Sequence, residues 1–148
     1  MAQRPAVRAG PDGTREVRIV SSEQTISQDD RPVILLVEDE ALTIMDLGDV
    51  LEDGGYDTVQ CASAERALSI LQARPDICGL VTDVELSGKT NGFELANAVA
   101  EARPKLPILI VSGRAAPDPE RMPPGAQFIA RPCSGDEILD RLKSLMPC

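Results

Sequence analysis

Three acidic residues stand side by side at 38–40, Glu38, Asp39 and Glu40, directly after the apolar run VILLV at 33–37. A second apolar run, ICGLVT, ends on Asp83, a third, PILIV, ends on Ser112, and a fourth, QFIA, ends on Arg131. Adjacent carboxylates repel one another and each prefers to stay hydrated, so such a cluster calls for a cation. Mg²⁺ is the natural candidate, because it binds through a few carboxylate oxygens and keeps several of its waters. A carboxylate held against Mg²⁺ can also serve as a nucleophile, as in aspartyl-phosphate formation. Phosphoryl transfer needs little more than in-line access, a metal and donors for the equatorial oxygens, and a serine hydroxyl and a guanidinium are such donors. Each residue has a plainer reading too. Asp39 or Glu40 can cap a helix, Ser112 before Gly113 can be turn chemistry, and Arg131 can be a surface cation. Together, the right residue types at the ends of four apolar runs favour a shared site.

The elements that position these residues alternate in type. VILLV and ICGLVTD read as strands buried on both faces. Between them, ALTIMDLGDVLED carries Leu42, Ile44, Leu47, Val50 and Leu51 at helical spacing and is stopped by Gly54-Gly55. YDTVQCA is a weaker strand, and SAERALSILQAR is an amphipathic helix with Ser63 as its N-cap and Ala64, Ala67, Leu68 and Leu71 as its apolar stripe. After the loop VELSGKTN come the helix GFELANAVAEAR, the strand PILIVSG, the short strand QFIA and a closing helix, SGDEILDRLKSLM. In the closing helix Ser134 and Glu137 are spaced as a capping box, and Ile138, Leu139, Leu142, Leu145 and Met146 form the apolar face. Strands are predicted at 33–37, 57–61, 77–82, 107–111 and 127–130. The segment RAAPDPERMPPGA has four prolines and cannot be a long regular helix. Strand–helix units repeated about five times specify an α/β fold, a doubly wound parallel sheet covered by helices on both faces. Ligands of such sheets gather at the carboxyl ends of the strands, where Glu38, Asp39, Asp83, Ser112 and Arg131 all fall.

The whole chain sets bounds on function. Its 148 residues suit one domain with a proper core. Residues 1–30 are polar and rich in Pro, Gly and Ser, and read as a disordered N-terminal tail; the domain is expected over 31–148. Two Phe, one Tyr and no Trp leave an aliphatic core. A net charge of −9, from 24 acids against 15 bases, disfavours nucleic acid and anionic membrane as partners. No stretch reaches the ~20 apolar residues of a membrane span, and the N-terminus lacks the apolar core of a signal peptide, so the cytoplasm is expected. The four cysteines, at 61, 78, 133 and 148, include no C-x-x-C pair and read as reduced, mostly buried thiols. With no histidine in the chain, His-based acid–base catalysis and a phosphohistidine role are excluded.

The motifs LLVEDE, LVTDVELSGKTNGFEL, ILIVSG and FIARPC, in that order and spacing, resemble the receiver domain of two-component response regulators over residues 32–146. The resemblance implies a flavodoxin-like receiver fold with a degenerate fourth helix, and a signalling domain rather than an enzyme. It further implies a phosphoryl group taken from a sensor histidine kinase or phosphotransfer protein onto Asp83, with Mg²⁺ as cofactor. Glu38 and Asp39 fall on the family's acidic pair, and Glu85 falls where a backbone carbonyl meets the metal. Ser112 falls on the switch hydroxyl, Phe128 on the aromatic that moves with it, and Pro132 on a proline usually preceded by a cis bond. The departure is Arg131, where the family carries lysine. Two roles are open to its planar fork: bidentate pairing with Asp83, which would hold the site shut, or service as a bulkier phosphate ligand. The broken fourth-helix segment implies a mobile or rebuilt output surface, and a subgroup of stand-alone receivers is similar there. With the chain ending at Cys148, the expectation is a single-domain regulator acting on an unknown downstream protein. The alternative is a pseudo-receiver, a protein-binding module that is never phosphorylated. A flavin- or nucleotide-binding protein is a poor third reading, because the acidic loop EDE would repel phosphates.

Overall fold

The computed structural model describes residues 31–146. The expected N-terminal tail, 1–30, lies outside the described residues. Five strands form one parallel sheet: β1 (Val33–Val37), β2 (Asp57–Cys61), β3 (Ile77–Thr82), β4 (Ile108–Ser112) and β5 (Gln127–Ala130). Four helices connect or follow them: α1 (Ala41–Asp53), α2 (Ala64–Ala73), α3 (Gly92–Ala102) and α4 (Gly135–Leu145). The strand order is β2-β1-β3-β4-β5, so the direction of winding reverses between β1 and β3. That reversal opens a crevice beyond the ends of those two strands.

The apolar runs behave as a sheet covered on both sides requires. Leu35, Val37, Leu80 and Ile110 point to one face and pack with Ala67 and Leu71 of α2 and Phe93, Ala96 and Val99 of α3. Ile34, Leu36, Val81, Leu109 and Val111 point to the other and pack with Leu47 and Leu51 of α1 and Ile138 and Leu142 of α4. The edge strand β2 contributes only half-buried or exposed residues, which explains its weak signal.

Four local expectations are corrected. β4 is shifted one residue along the chain from its predicted limits, so it starts at Ile108 and Ser112 is its last residue, paired with Ala130. Leu42 does not belong to the buried stripe of α1: it is 69 % exposed, beside Met45 at 60 %. At 3.6 residues per turn Leu42 lies about 140° around the helix from Leu47, off the face that meets the sheet. At α4, Ser134 Oγ accepts from the Glu137 N–H at 3.1 Å, which is one half of the expected box. The reciprocal box is instead at α3: Asn91 Oδ1 accepts from the Glu94 N–H and Glu94 Oε1 from the Asn91 N–H, both at 2.9 Å. The thiols of Cys61, Cys78 and Cys133 are free, but none of the three is fully buried.

Between β4 and β5 the chain forms a single 3-10 turn, Pro119–Arg121, and no α-helix. The segment is rebuilt rather than loose. Asn97 of α3 donates to the Arg121 carbonyl, the Arg121 guanidinium lies 4.8 Å from the centre of the Phe93 ring, and Ala115, Met122 and Ala126 pack against the α2–α3 core. No helix among the described residues is long and apolar enough to cross a membrane.

Candidate functional site

Backbone ladders carry the site residues to one level. The Glu38 N–H donates to the Cys61 carbonyl at 3.1 Å, the Asp83 N–H to Val37 at 3.0 Å, and the Arg131 N–H to Ser112 at 2.9 Å. Each bond extends the parallel pairing one step past a strand end, so these residues emerge together along the carboxyl edge. They border an open cleft of about 420 Å³, lined by Glu38, Asp39, Asp83, Glu85 and Arg131, with Arg114 and Thr43 at its sides.

The three neighbouring acids divide their work. Glu40 is the N-cap of α1 and accepts from the Thr43 N–H at 2.8 Å. Its bonds from the Thr43 hydroxyl and amide hold its carboxyl below the usual range. Asp39 is exposed at the cleft. Glu38 is only 2 % exposed, with Oε2 accepting from the Glu40 N–H at 3.1 Å and Oε1 3.4 Å from Nη2 of Arg131. Burial pushes the Glu38 carboxyl above its ordinary pKa and the charge of Asp83 adds to the rise, against the opposing pull of the Glu40 amide and Arg131.

Asp83 is half-buried, and its Oδ1 accepts from the Val84 N–H at 2.7 Å. The loop after it is pinned by the start of α3, where the Gly92 N–H donates to Val84 at 2.7 Å. Gly92 is required there, because a Cβ would stand 2.0 Å from the Asp83 carbonyl oxygen. Glu85 points outward, and its Oε1 lies 3.3 Å from Nη1 of Arg114.

Arg131 therefore pairs with Glu38 and not with Asp83. The reason is electrostatic: Glu38 is the carboxylate stripped of water, so the nearest guanidinium gains most by facing it. Ser112 is 1 % exposed and is turned into its own loop, its Oγ accepting from the amides of Arg114 at 3.4 Å and Ala115 at 3.2 Å. Gly113 and Arg114, not Ser112, line the cleft. Phe128 is half-buried, stacked on Phe93 with ring centres 6.3 Å apart. The Arg131–Pro132 peptide is cis. Sequence reasoning missed Arg114, an exposed loop residue; its position two places after Ser112 was the only signal.

Among the described residues no three acidic or thiol side chains form a ready cage for a metal. The donor set nevertheless fits Mg²⁺, which takes one or two carboxylates and retains waters. The donors are all oxygen, Asp39 is open to water, and the buried charge of Glu38 faces a single long arginine contact.

The family model for the response regulator receiver domain matches residues 34–143. The chain belongs to this family. This receiver is 33 % identical over 109 residues to the alginate biosynthesis transcriptional regulatory protein AlgB of Pseudomonas aeruginosa, a match covering 71 % of this chain and 24 % of that protein. It is 34 % identical over 110 residues to the response regulator protein FleR of the same species, covering 72 % and 23 %. The receiver thus spans about a quarter of the length of these relatives. A receiver protein from Sinorhizobium medicae superposes with a TM-score of 0.75 at 26 % identity, covering 78 % of this chain and 94 % of that one. A receiver protein from Pseudomonas putida does so with a TM-score of 0.67 at 26 % identity, covering 77 % and 97 %.

Proposed function

We propose that this receiver accepts a phosphoryl group on Asp83 from a sensor histidine kinase or a phosphotransfer protein, in a Mg²⁺-dependent reaction. It would work in the cytoplasm as a stand-alone module and signal to a downstream protein by direct contact. The observation that carries the reading is the convergence of Glu38, Asp39 and Asp83, from the adjacent strand ends of β1 and β3, on one cleft with Arg131.

Asp83 is the nucleophile. One of its oxygens is held by the Val84 amide, which orients the carboxylate and leaves the other for attack. That oxygen bonds to phosphorus as the bond from phosphorus to the donor's imidazole nitrogen breaks; the nitrogen keeps the electron pair. When bound, Mg²⁺ offsets the charge shared by the carboxylates and the transferring oxygens. Asp39, Asp83 and the carbonyl of Glu85 would hold it, with Glu38 reaching it through water. Ser112 accepts from two amides and keeps its own hydroxyl proton to donate. The stand-alone reading is supported by the lack of an α-helix between β4 and β5, the feature on which the resemblance to stand-alone receivers rests.

The test is intact-protein mass spectrometry after incubation with acetyl phosphate and Mg²⁺. Wild type should gain one phosphoryl group, with no gain in Asp83→Asn or in excess chelator. A wild type that gains none while Arg131→Lys does would establish the pseudo-receiver instead.

A further inference from the structure

The cleft holds two arginines, and they are not equally free. Arg131 faces a carboxylate that is 2 % exposed, and its own side chain is 26 % exposed. A buried carboxylate does not readily surrender its cation, because what remains is an uncompensated charge. Arg114 is differently placed. Its partner is Glu85, and the two side chains are 84 % and 49 % exposed, so their attraction is screened and weak. Both residues line the same cleft as Asp83. A phosphoryl group on Asp83 would carry close to two negative charges in place of the carboxylate's one, and would set them further into the cleft.

We propose that Arg114, not Arg131, is the cation that responds to phosphorylation: it leaves Glu85 and pairs with the phosphoryl oxygens, while Arg131 stays with Glu38. This rests on Asp83 being the phosphoacceptor. The exchange costs little, since Glu85 is already half in water and returns to solvent when released. It is also wired to the loop behind it. The amides of Arg114 and Ala115 both bond to Ser112 Oγ, and Ala115 packs on the core face that includes Phe93 and Phe128. Drawing Arg114 toward Asp83 therefore moves the atoms that hold Ser112 and shifts Ala115 on that core. Arg114 thus reads the phosphoryl group and passes its arrival to the segment between β4 and β5.

The test uses beryllofluoride with Mg²⁺ as the phosphoryl mimic, titrated into the full chain and followed by the amide resonances of Ala115 and Ser112. Arg114→Gln should weaken binding about tenfold, the loss of one charge-assisted contact. Arg114→Lys should recover part of it, keeping the charge without the fork. Glu85→Gln, which releases Arg114 and keeps the backbone carbonyl, should tighten binding, and the tightening should vanish in the Arg114→Gln background. Lys143→Gln, the same loss of charge at an exposed place on α4, should behave as wild type. Unchanged binding in Arg114→Gln, or tightening by Glu85→Gln that persists without Arg114, overturns this assignment and leaves Asp83 as acceptor. A wild type that binds no beryllofluoride overturns both.

Discussion

Removing the Arg131 charge while keeping a polar side chain, as Arg131→Gln, strips Glu38 of its one guanidinium partner among the described residues. Breaking a fully buried pair from one side costs about 3–5 kcal/mol. Here Arg131 is 26 % exposed and the contact is a single one at 3.4 Å. Solvent supplies part of what is lost, and the expected cost is about 1–2 kcal/mol. For a domain of this size that lowers the melting temperature by about 4–8 °C. Glu38→Gln should act in the opposite sense. It removes the buried charge, keeps an acceptor for the Glu40 amide, and should stabilise the metal-free protein by about 1 kcal/mol at neutral pH. Its pH dependence follows from the raised carboxyl. A folded pKa above the unfolded one means that the fold binds the proton more tightly, so the stability this adds is complete below the ordinary carboxylate pKa and is lost as pH rises through the folded value. The advantage of Glu38→Gln should therefore grow with pH and shrink toward acid. In the Glu38→Gln background, Arg131→Gln should cost little. The assay is thermal melting of the four proteins in excess chelator across that pH range. A destabilising Glu38→Gln at neutral pH, or purely additive effects, would refute the reasoning.

Saturating Mg²⁺ should raise the melting temperature of wild type, by about 2.7 kcal/mol of stability at a hundred times the dissociation constant, and Asp39→Ala should lose most of that gain in the same melt. Gly92→Ala forces a methyl group against the Asp83 carbonyl; because backbone must yield, denaturant titration should show a loss of about 3 kcal/mol. Asn91→Ala removes the side-chain acceptor of the Glu94 N–H in the α3 capping box and leaves the reciprocal bond from its own backbone N–H, and should cost about 1 kcal/mol by the same titration.

How far the sequence carries depends on the kind of feature. β1, β3 and β5 have the limits that their patterns predict, and even β2 is placed correctly because Gly54-Gly55 and Ser63 bracket it. Ser112 is at the end of β4 rather than just past it because its backbone still pairs with Ala130, while its hydroxyl organises the turn that follows by accepting from the Arg114 and Ala115 amides. The co-location of Glu38, Asp39, Asp83 and Arg131 follows from parallel topology alone and was legible. Their pairing was not. Which carboxylate Arg131 meets depends on which one loses its water, and that is decided by the third dimension: Glu38 and Asp39 are adjacent in sequence, yet one is buried and the other exposed. Arg114 carries no periodicity and no motif, so an exposed cation in a proline-rich loop looked like surface. Asn91 was legible and overlooked, since an Asn three residues before a Glu at a helix start is a recognisable capping pattern. Leu42 shows the opposite failure, a leucine that looks like core until its angle around the helix is counted.

The most direct test of Asp83 as the phosphoacceptor is to locate the modification. Wild type treated with acetyl phosphate and Mg²⁺ is reduced with borohydride, which converts an aspartyl phosphate to homoserine, then digested and sequenced by mass spectrometry. Conversion at Asp83, with Asp39 and Glu38 unmodified and no conversion in chelator, is the expected result. Conversion at another carboxylate, or none at Asp83 under conditions where the folded protein binds Mg²⁺, would contradict it.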